Sequence, residues 1–205
     1  MSLHCETTTV RFYDDHADEY VRSTVGVDMQ LLYEPFLSRI PQGGRILDAG
    51  CGSGRDSKAF LDRGYSVMSI DASQKMVAAT TAITGQQALQ LAFQDVIFAE
   101  DFDGIWACAS LLHVPLAELA DVFRRLAWAL RPSGIFYTSF KDGHGECQRD
   151  GRLFTDMDEP SISELVAGIV ELELFRLWHT DDLRPGRLDR WLNMLLRKVE
   201  TRQLK

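Results

Sequence analysis

Gly50, Gly52 and Gly54 alternate with other residues in the stretch ILDAGCGSGRDS, directly after an apolar run that contains Asp48. Glycine removes the Cβ from a turn, so a ligand or a neighbouring helix can approach the main chain closely. Polar groups recur at similar places further on. Asp71 ends YSVMSID, Asp95 follows LQLAF, Ser110 and His113 stand at and after the end of FDGIWACAS, and Lys141 and Asp142 follow GIFYTSF. Each lies at the close of an apolar, strand-like segment. Ligands of open α/β sheets bind beyond the carboxyl ends of the strands. Successive segment ends that each offer a bare turn or a polar group therefore describe one binding rim.

Asp71 lies 21 positions after Gly50. A carboxylate at the end of a second strand can accept from both hydroxyls of a ribose, which points to a ligand containing a nucleoside. The competing reading is an acid that faces the dipole of the next helix. The glycine spacing differs from the dinucleotide pattern G-x-G-x-x-G, and no G-K-S/T follows to make a P-loop.

The elements that must position these residues read as an alternation. Residues 11–40 are helical, with Leu32, Phe36 and Ile40 at four-residue steps, and PQGG then breaks the chain. RILDAG is a strand, and SGRDSKAFLDRG is a helix with Ser53 as its N-cap and Gly64 at its end. YSVMSID, LQLAF, FDGIWACAS and GIFYTSF are further strands. Between them lie the helices SQKMVAATTAITG and PLAELADVFRRLAWALRPSG. The latter gathers Leu116, Leu119, Phe123, Leu126, Ala127 and Leu130 on one face. This rhythm implies a parallel sheet covered by helices on both sides. Residues 141–152, KDGHGECQRDGR, read as a polar loop placed to act as a lid. SISELVAGIV is a helix and LELFRLWHT a sixth strand, whereas RWLNMLLRK fits either a helix or a buried strand.

The 205 residues suit one domain, and 45% hydrophobic with 25% charged residues is an ordinary globular composition. The formal net charge of −8 argues against a large nucleic-acid footprint. Cys5, Cys51, Cys108 and Cys147 are widely spaced, which suggests neither a zinc site nor a disulfide framework and fits free thiols in the cytoplasm. The charged N-terminal stretch RFYDDHADEYVR is unlike a secretory signal, and no run is long and apolar enough to predict a membrane span.

The set LDAGCGSGRDS, SIDAS, FQD and ACASLLHVP resembles class I S-adenosylmethionine-dependent methyltransferases, most nearly small members of the tellurite-resistance type. The likeness runs through residues 44–141, and the preceding FYDDHADEY helix is similar to those of such enzymes. It implies a three-layer Rossmann-like sandwich with a seven-stranded, mostly parallel sheet in the order 3-2-1-4-5-7-6 and one antiparallel strand. RWLNMLLRK then becomes the seventh strand. Residues 1–40 would form a helical cap, 44–141 the cofactor-binding core, and 142–205 the lid loop, a helix and a terminal hairpin. The resemblance also implies S-adenosylmethionine as cofactor. Gly50, Gly52 and Gly54 would line its methionyl and ribose parts, Asp48 would hold the loop and amino end, and Asp71 the ribose hydroxyls. Ala72, Asp95 and Val96 would face the adenine, Ala109 and Ser110 would flank the methionyl side, and Tyr13 and Tyr20 would close over it.

Methyl transfer from a sulfonium requires alignment and exclusion of water, with a base only when the nucleophile arrives protonated. His113, Asp142 and His144 are candidates for that base; the competing reading of His113 is packing within LLHVP. His179 reads as structural, and Arg55 as a helix-cap or lid ion pair. Lys141, His144, Arg149 and Arg152 give the 141–152 segment local positive charge, which suits an anionic small substrate. Small accessory segments favour a small-molecule acceptor over tRNA or protein. A non-catalytic S-adenosylmethionine sensor would carry the same glycines and Asp71, whereas the glycine spacing disfavours a nicotinamide-dependent dehydrogenase.

Overall fold

The computed structural model describes residues 8–199, so His4 and Cys5 lie outside the described part. Its centre is a seven-stranded sheet. Strands β1 (Arg45–Ala49), β2 (Ser66–Asp71), β3 (Leu89–Gln90), β4 (Phe102–Ala107) and β5 (Leu130–Lys141) run parallel to one another. A hairpin, β6 (Gly145–Arg149) with β7 (Arg152–Asp156), stands apart from this sheet. The last two strands are β8 (Leu172–Asp181) and β9 (Arg190–Lys198), and the sheet order is β3-β2-β1-β4-β5-β9-β8. Only β9 runs antiparallel to its neighbours, between β5 and β8. The architecture is the expected Rossmann-like one; the difference in detail is the hairpin inserted after the fifth strand.

Strand residues alternate between two cores, as a side-chain period of two requires. Leu47, Ile105, Phe136, Phe140 and Leu196 point to one, where they meet Leu119, Phe123 and Leu126 of α6 (Leu116–Ala129) and Ile162 of α7 (Glu159–Ala167). Ile46, Trp106, Ile135, Tyr137 and Leu195 point to the other, against α3 (Gln30–Leu37) and Phe60 of α4 (Arg55–Asp62). Trp106 and Tyr137 stack there with ring centroids 3.9 Å apart. Each such large side chain contributes about 1.5–3 kcal/mol by leaving water. With both faces covered, β9 is apolar almost without alternation, which is why its period is ambiguous in the sequence.

Several expectations are corrected. The 141–152 segment is not a loop: most of it forms β6 and the turn into β7, with Asp150 and Gly151 at φ +51° and +77°, the left-handed pair a tight hairpin turn demands. The N-terminal helical region is three short helices, α1 (Thr8–Asp15), α2 (Ala17–Thr24) and α3. LQLAF supplies only the two-residue edge strand β3, after which the chain turns through a short 3-10 helix at Phe93–Asp95. Leu116 is 45% exposed at the start of α6, and Leu130 begins β5 rather than extending the helix face. Gly54, not Ser53, caps α4, at φ +77°. A Cβ there would lie 2.4 Å from Ile83 of α5 (Gln74–Thr84), so this glycine serves helix packing. Ser73 does cap α5, accepting from the Met76 N–H at 3.2 Å.

Candidate active site

Two clefts open at the carboxyl ends of the parallel strands. The first is built from strand ends and the turns after them. Gly50 and Gly52 follow β1, Asp71, Ala72 and Ser73 follow β2, and Ala109 and Ser110 follow β4. Asp71 ties two of these turns together: one carboxylate oxygen accepts from the Gly52 N–H at 3.0 Å and the other from the Ser73 N–H at 2.9 Å. Burial pushes Asp71 up to about 6, against the pull of those same N–H donors. A Cβ on Gly52 would come within 3.3 Å of the Tyr20 ring, so only a glycine leaves Tyr20 this close to the loop. Ala109 holds φ +50°, an uncommon value for a residue with a side chain. Its N–H is anchored on Ser139 Oγ at 2.9 Å.

A charged cluster lies beneath the loop. Asp56 accepts from Tyr33 Oη at 2.5 Å, from Trp106 Nε1 at 2.8 Å and from both Nε and Nη2 of Arg55. Burial alone would raise the Asp56 pKa, but the Arg55 charge and these donors bring it below the ordinary value. Asp48 faces the other way, accepting from Ser57 Oγ at 2.5 Å; burial and the charge of Asp56 raise its pKa.

The second cleft is assembled from distant segments. Met29 and Leu32 come from the N-terminal helices, Lys141 from β5, Arg152 and Phe154 from β7, and Arg184, Arg187 and Asp189 from the turn between β8 and β9. Arg55 also lines it, from the first residue of α4. Lys141 pairs with Asp189 at 2.8 Å, and Arg184 with Asp182.

Tyr13, Tyr20, Cys108, Ala109 and His113 line both clefts and so form their common wall. His113 is held from both sides. Its Nδ1 lies 2.6 Å from the Leu153 carbonyl, which can only accept, so Nδ1 carries the proton. Its Nε2 therefore accepts from the Tyr13 hydroxyl at 2.8 Å. Burial pushes His113 down to about 4, with Arg152 and Lys141 adding repulsion. The ring is neutral and both nitrogens are occupied. Burial pushes Cys108 up to about 12 and raises both tyrosines as well.

Not every residue singled out in the sequence reaches these clefts. Gly54, Asp48, Asp95 and Val96 line neither; Phe93 and Gln94, just upstream on the 3-10 turn, line the first. His144 points outward, its side chain 79% exposed and near Asp158 and Ser161. Asp142 lies beside His179 and Arg190, at 3.4 and 3.5 Å, and Arg149 pairs with Asp156. Lys141 and Arg152 do line the second cleft. Sequence reasoning missed Arg184 and Arg187, although DDLRPGRLDR carries a clear signal of a charged turn between two strands. No group of residues that could hold a metal ion and no helix long and apolar enough to cross a membrane occurs among the described residues.

Comparison with known proteins supports the same reading. Residues 47–138 match the family described as methyltransferase domain. The ubiquinone biosynthesis O-methyltransferase of Aeromonas salmonicida is 31% identical over 47% of this chain and 43% of its own length. The tRNA 5-carboxymethoxyuridine methyltransferase of Escherichia coli is 30% identical over 66% of this chain and 58% of its own. The chain thus spans about half the length of the curated relatives it matches. Among solved structures, Burkholderia thailandensis 1,6-didemethyltoxoflavin-N1-methyltransferase superposes with a TM-score of 0.74 at 22% identity, covering 93% of this chain and 85% of its own. That structure holds 1,6-didemethyltoxoflavin and S-adenosylhomocysteine. The likeness to the tellurite-resistance type rests on the glycine loop alone. Within residues 47–138 the chain thus matches a methyltransferase domain, and it shares its fold with the solved Burkholderia methyltransferase.

Proposed function

We propose that the first cleft binds S-adenosylmethionine and that methyl transfer takes place across the shared wall, to a small-molecule acceptor in the second. The observation that carries this reading is the wall itself: Tyr13, Tyr20, Cys108, Ala109 and His113 face both spaces, so molecules in the two clefts would meet there. Gly50 and Gly52 leave room for the methionyl and ribose parts. Asp71 keeps lone pairs for the ribose hydroxyls after accepting its two backbone N–H groups. Ala72, Phe93 and Gln94 flank the adenine side, and Ser110, whose Oγ donates to the Ala49 carbonyl at 2.7 Å, fixes the floor. The bound sulfonium supplies a methyl group already activated for attack. The protein's part is to align the acceptor and keep water out, with Tyr13 and Tyr20 of the helical cap as the cover.

Titration calorimetry with S-adenosylhomocysteine and NAD tests the reading. Binding of the former and not the latter, weakened by Asp71→Ala, supports it; binding of neither overturns it. The Escherichia coli relative named for a tRNA nucleoside supplies the second reading. The net charge of −8 and a second cleft bordered by the β8–β9 turn favour a small acceptor. Tritiated methyl groups incorporated into acid-precipitable tRNA, and into no small molecule, would reverse that preference.

A further inference from the structure

The second cleft holds a cation whose setting differs from its neighbours'. Arg55, Lys141 and Arg184 are each bound to an aspartate at close range, and Arg187 is exposed in the β8–β9 turn. Arg152's nearest carboxylate is Asp150, at 3.6 Å, and that side chain is 80% exposed; the arginine's other polar neighbour is the uncharged Tyr13. Its guanidinium lies over the rings of Phe12 and Phe154, at 4.2 and 5.1 Å, which fixes the fork without neutralising it. Its Nε is buried and has no hydrogen-bond partner. A buried donor left unpaired costs about 1–3 kcal/mol, so a cleft keeps one where a ligand satisfies it.

Beside Arg152 the shared wall offers nothing to take a proton. His113 has both ring nitrogens engaged, and Tyr13 donates its own proton to that ring. Asp182 and Asp189 are committed to Arg184 and Lys141, and Asp181 is exposed at the end of β8. A neutral hydroxyl or ammonium acceptor would have to lose a proton at a wall that holds no free base.

We infer that the methyl acceptor is a small organic carboxylate, gripped by Arg152 through one oxygen and methylated on the other to give a methyl ester. The inference rests on the methyl-transfer reading above. In the step, a lone pair of the free carboxylate oxygen forms the new O–CH₃ bond while the S–CH₃ bond breaks, its electron pair staying on sulfur. The negative acceptor and positive sulfonium become a neutral ester and a neutral thioether, and no proton is released. A water-poor cleft suits a reaction in which opposite charges cancel. Met29, Leu32 and Phe154 provide an apolar wall for the acceptor's body.

The test uses the full chain with tritiated S-adenosylmethionine and a panel of benzoate, phenylacetate and cinnamate, each beside its neutral amide, with phenol as a further control. The expected product is alkali-labile, releasing its label as volatile methanol, and a pH indicator in weak buffer records no proton per turnover. Arg152→Gln is expected to raise acceptor KM at least about tenfold while the Kd for S-adenosylhomocysteine stays within about twofold; Arg152→Lys, with charge but no fork, falls between. Alkali-stable product, one proton released per methyl, or no ester from any acid by a protein that binds S-adenosylhomocysteine overturns this inference alone. Loss of S-adenosylhomocysteine binding in Arg152→Gln with unchanged acceptor KM also overturns it. A wild-type protein that fails to bind S-adenosylhomocysteine takes down the methyl-transfer reading and this inference together.

Discussion

The two clefts share a wall and are built on opposite plans. Gly50, Gly52, Asp71 and Ser110 of the first each sit within a few residues of a strand end, and their contacts are largely to backbone: Asp71 to the N–H groups of Gly52 and Ser73, Ser110 to the carbonyl of Ala49. The second draws on the helical cap, on β5, on the β6–β7 hairpin and on the β8–β9 turn, and its contacts are ion pairs between side chains. A site made from backbone turns is fixed by the fold itself. One made from paired side chains can change its specificity with single substitutions. The difference fits the unlike acceptors for which the similar methyltransferases are named.

Substitutions in the two clefts can break that comparison. The largest effect is expected from Asp71→Ala, which removes a charged acceptor from the first cleft and should weaken S-adenosylhomocysteine binding about ten- to a hundredfold by calorimetry. An equal loss from a substitution in the β8–β9 turn, such as Arg187→Ala, would dissolve the division between the clefts.

The same carboxylate gives the next effect, through pH. With Asp71 pushed up to about 6, S-adenosylhomocysteine affinity should hold above pH 6 and fall about tenfold by pH 5, as the ionised acceptor disappears. Stability runs the other way in the free protein. A raised carboxyl pKa favours folding below the ordinary value of 3.8, and that contribution is lost as pH rises through about 6. An affinity profile flat between pH 7 and 5 would remove Asp71 from the site.

Gly54→Ala sharpens the contrast from the side of packing. Its Cβ would overlap Ile83, at a φ that side chains avoid, so urea denaturation should show a loss of about 1–3 kcal/mol. Because Gly54 lines neither cleft, ligand affinity measured under fully folded conditions should change little. The smallest effect is expected from Tyr13→Phe. It removes the donor to His113 Nε2, and turnover should fall less than about tenfold if the pair only positions the wall. A loss of a hundredfold or more would make the pair a proton relay.

How much of this was legible follows the same divide. The glycine loop, Asp71 and the order of strands are local patterns, and each appears in the sequence as a short motif at a strand end. Phe93 and Gln94 rather than Asp95 and Val96 line the first cleft, because LQLAF ends early and the chain turns through a 3-10 helix that a strand pattern does not foretell. The hairpin at 145–156 was hidden by its own glycines and charges, which read as loop until Phe154 and Thr155 are seen to pack. Arg152 could be assigned positive charge from sequence, but not its bed of aromatic rings, which come from α1 and β7. The second cleft depends on contacts between residues more than a hundred positions apart, and no periodicity records those.

The turn between β8 and β9 carries a final consequence. It hangs from an antiparallel pair at the sheet margin, held in register from Leu172↔Lys198 to Asp181↔Arg190, and no strand beyond depends on it. Shortening or lengthening this arch would resize the second cleft while leaving the first untouched. Of all the segments in the molecule, it is the one a protein engineer could rewrite to admit a bulkier guest.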